Sequence, residues 1–155
     1  MLENFLIPPQ DYYENDSSWA DHGINESGFG TQGLSELYRV TKDEYYLNLT
    51  KIYMQQHLDI YQEPNGLWKR LYMFETNRAT PVDFWTRGMG WGMMGLLACD
   101  QIMPDDIYIS WATKMGNQLI RYQNEDGSWN HKMNATSEEF GKCEKSTSLW
   151  CMLLY

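Results

Sequence analysis

The sequence predicts an all-α fold of stacked helix hairpins, and three observations support that reading. Two loop segments repeat 61 positions apart, Tyr61-Gln62-Glu63-Pro64-Asn65-Gly66-Leu67-Trp68-Lys69-Arg70 and Tyr122-Gln123-Asn124-Glu125-Asp126-Gly127-Ser128-Trp129-Asn130-His131, sharing Tyr-Gln, the Gly and the Trp. A helix hairpin with its loops occupies about that length and must stack on neighbours to bury its apolar face. Apolar residues upstream of each loop fall on a helical period. The chain stops inside an apolar helical stretch, Leu149 to Tyr155, with no Gly or Asn stop signal, so one partial domain over residues 1–155, cut from something longer, is expected.

The first helix is expected roughly from Gly30 to Val40, after a polar and flexible stretch, His22 to Gly28. Asp43 to Ile60 places Tyr46, Leu47, Leu49, Ile52, Tyr53 and Leu58 on one period, with Asp43 as N-cap. Gly88 to Met103 carries Trp91, Met93, Met94, Leu96, Leu97 and Ile102 and ends before Pro104, which would break a helix. Asp105 to Tyr122 repeats the pattern with Ile107, Tyr108, Trp111, Met115, Leu119 and Ile120, capped by Asp105 or Asp106. A fifth helix begins near Ser146. Exposed turns or two-stranded ribbons are expected at Leu67 to Phe74 and Ser128 to Met133.

Composition narrows the function. Hydrophobic residues make up 43% and aromatics 15%, enough rings to line a core or a sugar-sized groove. The net charge of −9 argues against nucleic acid as a partner, because phosphate binding is driven by Lys and Arg. No apolar run approaches the roughly 18 residues that span a bilayer, so no membrane partner is expected. Cys99, Cys143 and Cys151 form no C-x-x-C and have no His at zinc spacing, so no metal or other cofactor is expected and a reducing compartment is mildly favoured. Sequons at Asn15, Asn25, Asn48 and Asn134 are possible glycan acceptors, although Asn48 falls inside an expected helix.

The densest chemistry lies where loops turn into helices. Phe84-Trp85-Thr86-Arg87-Gly88-Met89-Gly90-Trp91 sets two indoles and a guanidinium around two glycines. Glycines there let a ligand approach the backbone, Arg forks onto a carboxylate, and Trp faces stack on the C–H faces of a sugar. Trp85 and Trp91 also read as plain core residues. His57 reads as a solvent-facing helix residue. His131, two after Trp129, reads as a ribbon side chain that can reach a substrate hydroxyl, and Glu144, before a helix start, as a polar contact at the open end or a helix cap.

Phe84-Trp85-x-Arg87-Gly88-x-Gly90-Trp91 resembles the F-W-x-R-G-N-G-W signature of the unsaturated glucuronyl and rhamnogalacturonyl hydrolases, glycoside hydrolase families 88 and 105, with Met89 in place of the usual Asn. Asp126-Gly127-Ser128-Trp129 is similar to their D-G-S-W, Glu144-Lys145-Ser146-Thr147 to their E-T-S-G, Gly66-Leu67-Trp68-Lys69-Arg70 to their L-F-Y-R loop, and Trp19-Ala20-Asp21 to their W-x-D. Five motifs in family order span nearly the whole chain. The resemblance implies an (α/α)6 toroid, of which this chain supplies an arc of about two and a half hairpins, with the remainder of the toroid flanking it.

The resemblance also implies a glycosidase acting on 4,5-unsaturated uronic acid ends of oligosaccharides by protonating and hydrating the enol ether. Asp21 is the implied acid. Arg87 would hold the substrate carboxylate, Trp85 and Trp91 the sugar, and Arg70, His131 and Glu144 further substrate contacts. The family's second active-site Asp lies about one unit earlier and has no counterpart here. Asp21 to Asp43 spans 22 positions, about four more than the family pattern, and Asp21 also reads as a turn or cap residue. The chain alone is therefore expected to be inactive. A bacterial cytoplasm or periplasm is the expected compartment. The alternatives are a non-catalytic carbohydrate-binding or scaffolding remnant of the same fold and, more remotely, an (α/α) barrel of mannanase or epimerase type.

Overall fold

A computed structural model describes residues 21–23, 25–69, 71–73, 78–79 and 84–134. In chain order these form β1 (Asp21–Gly23), α1 (Asn25–Thr41), α2 (Glu44–Tyr61), β2 (Leu71–Met73), β3 (Arg78–Ala79), α3 (Thr86–Ile102) and α4 (Asp106–Arg121). The three strands make one small antiparallel sheet, with Asp21 opposite Met73 and Met73 opposite Arg78. The expected fifth helix near Ser146 lies outside the described residues.

Two helices begin where their acidic caps indicate. The Tyr45 backbone N–H donates to Asp43 Oδ1 at 3.0 Å, and the Ile107 N–H donates to Asp105 Oδ1 at 3.0 Å, each satisfying an orphan donor of the first turn. The α1–α2 connection is short. Lys42 takes a left-handed φ of 57° and donates its N–H to the Tyr38 carbonyl at 2.8 Å, and Asp43 follows at once as the cap.

α1 starts five residues earlier than its apolar pattern suggested, and residues 25–28 are helical instead of flexible. Polar residues such as Asn25 and Glu26 suit a helix start, where backbone N–H groups point to solvent. The glycines of this segment serve contact between helices. A Cβ on Gly28 would lie 2.8 Å from the Trp91 carbonyl oxygen, and one on Gly30 would lie 2.6 Å from the Tyr53 ring. α1 thus closes on α3 through Gly28 and on α2 through Gly30. One turn pair further on, Ser35 Oγ reaches the Ala98 carbonyl at 3.5 Å. Positions 28 and 35 of α1 meet 91 and 98 of α3, so both helices run the same way and start at one rim.

The loop repeat is a repeat of hydrogen bonds. Glu63 N donates to Leu67 O and Gly66 N to Glu63 O, both at 2.8 Å; 61 residues on, Asn124 N donates to Ser128 O at 2.8 Å and Gly127 N to Asn124 O at 2.9 Å. Asn65 Oδ1 accepts from Leu67 N and Asp126 Oδ1 from Ser128 N, again at matching positions. Gly66 and Gly127 take φ of 92° and 81°, a left-handed conformation that side chains resist. The two loops do not stand out as exposed ribbons. Trp68 is fully buried against Gly92, and Trp129 is buried with its indole N–H on the Leu119 carbonyl at 2.8 Å. The first expected ribbon is realised as β2, paired with distant β1 and with β3. The second becomes a single bridge, Trp85 to Lys132.

The main core joins α2, α3 and α4 around these loops, through Met54, Leu58 and Tyr61, Met89, Met93 and Leu96, and Tyr108, Met115 and Leu119. A smaller cluster of Leu34, Leu49 and Tyr53 ties α1 to α2. Four residues depart from the sequence expectation. Ile52 is 49% exposed, Ile107 42% and Ile120 65%, because the buried stripes run through Leu49, Tyr53 and Leu58 and through Tyr108, Ala112, Met115 and Leu119. His57 is fully buried, not solvent-facing: its ring lies between Tyr53 and Tyr61, with Nδ1 2.8 Å from the Tyr53 carbonyl. Cys99 is buried in α3, and burial, reinforced by Asp100, pushes its thiol up to about 12, which keeps it protonated and inert.

Two pairs of glycine substitutions test this packing by denaturant midpoint. Gly28→Ala should lose about 1–3 kcal/mol, because α1 must back away from the α3 backbone, whereas Gly33→Ala, with no neighbour near its added methyl, should gain about 0.5–1 kcal/mol from helix propensity. Gly127→Ala should cost about 1–2 kcal/mol for its positive φ alone. Gly66→Ala should cost clearly more, since its methyl would also meet the Lys114 Cβ at 2.5 Å and the backbone at Met115. Equal losses within either pair would contradict the close approaches described.

Candidate functional site

The start of α3 is held by the second loop of the repeat. Thr86 N donates to His131 O at 3.1 Å, Thr86 Oγ1 to Asn130 O at 2.6 Å and Met133 N to Phe84 O at 2.9 Å, so residues 84–86 form one arm of a clasp and 130–133 the other. Trp85 occupies the N-cap position with extended φ and ψ of −71° and 110° and no side-chain cap bond. Its ring is 8% exposed and belongs to the core, with the His131 ring 6.3 Å away.

Arg87 stands over that buried indole, its Cζ 4.7 Å from the ring centroid, and remains half-exposed. Arg87 and Trp91 are four apart on α3 and share a face, about 6 Å along the axis. Trp91 in turn stacks on Phe29 of α1, with ring centroids 4.4 Å apart and planes at 35°. The parallel helices therefore build a continuous row along the rim: His131, Trp85, Arg87, Trp91, Phe29. Sequence reasoning brought the first four forward and missed Phe29, because α1 was expected to start after it. The signal was present in Asn25-Glu26-Ser27, a polar helix start placed just before Gly28.

The glycines around Arg87 have a different role from the one expected. Gly88 and Gly90 are buried, and Gly92 gives its space to the Trp68 ring, which would lie 3.0 Å from an added Cβ. Met89, standing where the resembled signature has Asn, is a fully buried core residue whose Sδ accepts from Trp68 N at 3.2 Å. Gly92 thus seats α3 on the first loop of the repeat.

The electrostatics of the rim favour an anion. α2 and α4 carry Glu44 and Asp106 in their first turns, complementing the positive ends of their helix dipoles. α3 carries no acid in its first turn and has Arg87 there instead. A cation at that end is locally unfavourable, and it becomes favourable when a carboxylate or other anion binds between it and the orphan N–H groups. Asp21 lies on β1, opposite Met73 and four residues before α1. Arg70 and Glu144 lie outside the described residues. Among the described residues no group of three His, Cys, Asp or Glu could hold a metal ion, and no helix is long and apolar enough to cross a membrane.

The family model for glycosyl hydrolase family 88 matches residues 58–155. No curated protein matches the chain. Among solved structures, a protein described as a polysaccharide lyase aligns with a TM-score of 0.73 at 21% identity, over 98% of this chain and 44% of its own. The unsaturated glucuronyl hydrolase from Bacillus sp. GL1, responsible for the degradation of glycosaminoglycan, aligns with a TM-score of 0.74 at 15% identity, over 92% and 40%. A UGL variant with dGlcA-Glc-Rha-Glc aligns with a TM-score of 0.74 at 16% identity, over 94% and 41%. The chain thus spans less than half the length of these structures, and its helices form an arc of the (α/α)6 toroid.

Proposed function

This chain belongs to glycosyl hydrolase family 88, and we propose that its rim forms part of a glycosidase site for oligosaccharides ending in a 4,5-unsaturated uronic acid. The observation that carries the reading is Arg87 at the start of α3, exposed on one side, braced by Trp85 on the other and followed on the same face by Trp91. That arrangement offers a carboxylate a fork of donors and a helix N-terminus, and offers the attached ring an aromatic surface.

An unsaturated uronic acid supplies both features, a carboxylate and a ring flattened by its C4=C5 bond. In the proposed reaction Asp21, protonated, gives its proton to C4 of the enol ether, and positive charge develops at C5 and the ring oxygen. Arg87, paired with the carboxylate on C5, fixes the ring in place for the proton transfer. Water adds at C5 and returns its proton to the Asp21 carboxylate, so the acid is regenerated. The resulting hemiketal opens and releases the remaining sugar. One carboxyl group serves both proton transfers, which requires that its pKa lie near the working pH. β1 supports a role for Asp21, since its strand pairing fixes the backbone at the threshold of α1, whose first turns abut the α3 rim at Trp91.

The test is the ultraviolet absorbance of the C4=C5 chromophore in the full protein. Loss of absorbance from an unsaturated uronyl disaccharide is expected. A gain of absorbance from a saturated polyuronate would show a lyase instead. Asp21→Asn should reduce turnover by about 10²-fold to 10⁴-fold while binding stays nearly intact, because Asn keeps the shape but transfers no proton. Turnover within threefold of wild type would remove Asp21 from the chemistry. Arg87→Ala should weaken substrate binding by about 2 kcal/mol or more, the scale of a lost charge-assisted pair.

A further inference from the structure

We infer that Phe29 is a substrate-positioning residue, forming with Trp91 a two-ring cradle for the sugar joined to the anionic unit held at Arg87. The inference rests on the glycosidase reading above and adds a residue and a subsite to it.

Phe29 is 60% exposed, a large cost for an aromatic ring on a helix of near-zero mean hydropathy. Its position is nonetheless fixed. Gly28 brings the α1 backbone against Trp91, which holds the backbone of the neighbouring Phe29 at the α3 rim. The rings meet at 4.4 Å with planes 35° apart, and with Phe29 largely exposed beside half-buried Trp91 the tilted pair supplies the walls of the inferred trough. The other exposed large apolar side chains on α2 and α4, Tyr45, Ile52, Ile107, Ile109 and Ile120, belong to helices that do not start at this rim. Phe29 packs on Trp91, which shares a face of α3 with Arg87 one turn earlier. A sugar chain with its terminal carboxylate on Arg87 places a following ring over Trp91 and Phe29, where C–H faces meet aromatic faces.

The trough makes no proton transfer and carries no charge, so it acts on binding. Through binding it sets how well a sugar of given shape follows the uronyl unit. Removing the Phe29 ring should therefore raise KM and leave kcat nearly unchanged, the signature of an interaction made equally in ground and transition states.

The experiment uses the full protein and an unsaturated uronyl disaccharide, with KM and kcat from loss of the C4=C5 absorbance and Kd from tryptophan fluorescence. Phe29→Ala is expected to raise KM and Kd about 3-fold to 10-fold, the range for one aromatic contact, with kcat within about twofold. Phe29→Tyr should restore both constants, and Phe29→Leu should restore them only in part, because the flat face and not apolarity alone is needed. Phe29→Ala with unchanged KM and Kd, or Phe29→Leu equal to wild type, would overturn the inference. Wild-type protein that binds the disaccharide without consuming it would defeat the hydrolase reading and leave the Phe29 comparison to be decided by Kd. Wild-type protein that does neither would overturn both.

Discussion

The approach of α1 to α3 through Gly28 is the constraint on which the rest depends. With the Trp91 carbonyl occupying the space of a Cβ, the helices meet backbone to backbone, and the contact recurs at Ser35 and Ala98. Two consequences follow from this one contact. The helices are parallel, so both N-termini and the residues around them gather at one rim. The ring of Phe29 is carried against that of Trp91, which turns two separate motifs of the chain into one surface.

A second layer of support comes from the repeated loops. Each turns on a positive-φ glycine and an Asx side chain, then sends a Trp inward, but the two Trp anchors serve different neighbours. Trp68 fills the space left by Gly92 and donates its backbone N–H to Met89, locking the first turns of α3 from below. Trp129 bonds to the end of α4, and the segment that follows it clasps residues 84–86 from the other side. Arg87 emerges between these two restraints with a buried indole beneath it. A cation held there against the helix dipole is offset by its cation–π contact with the Trp85 ring.

Much of this was legible in the residues. The 61-residue spacing, the Asp43 and Asp105 caps and the spans of α2, α3 and α4 follow from local rules of turn chemistry, capping and periodicity, and they hold to within two residues. The start of α1 was not legible from apolar periodicity, since its first turns owe their order to a helix laid across them, and glycine there reads as flexibility until the partner is seen. His57 was misjudged for a related reason: its ring is stacked between Tyr53 and Tyr61, four residues to either side, and buried by neighbours that no single-helix pattern reveals. Ile52, Ile107 and Ile120 erred in the opposite direction, lying off the buried stripes. The F-W-x-R-G signature pointed by resemblance to the family, which the match over residues 58–155 bears out. It could not show that Trp85 is buried in the core while Arg87 and Trp91 stay half-buried and Phe29 lies largely exposed beside Trp91.

The parallel start of α1 and α3 is proposed to form an anion-and-sugar cradle. A crystal structure of the full protein, with Asp21→Asn to prevent turnover, soaked with an unsaturated uronyl disaccharide, tests it most directly. The account predicts the carboxylate within hydrogen-bond distance, about 2.7–3.0 Å, of the Arg87 guanidinium, with a sugar ring against Trp91. A disaccharide bound elsewhere, or bound with its carboxylate turned away from Arg87, would contradict it.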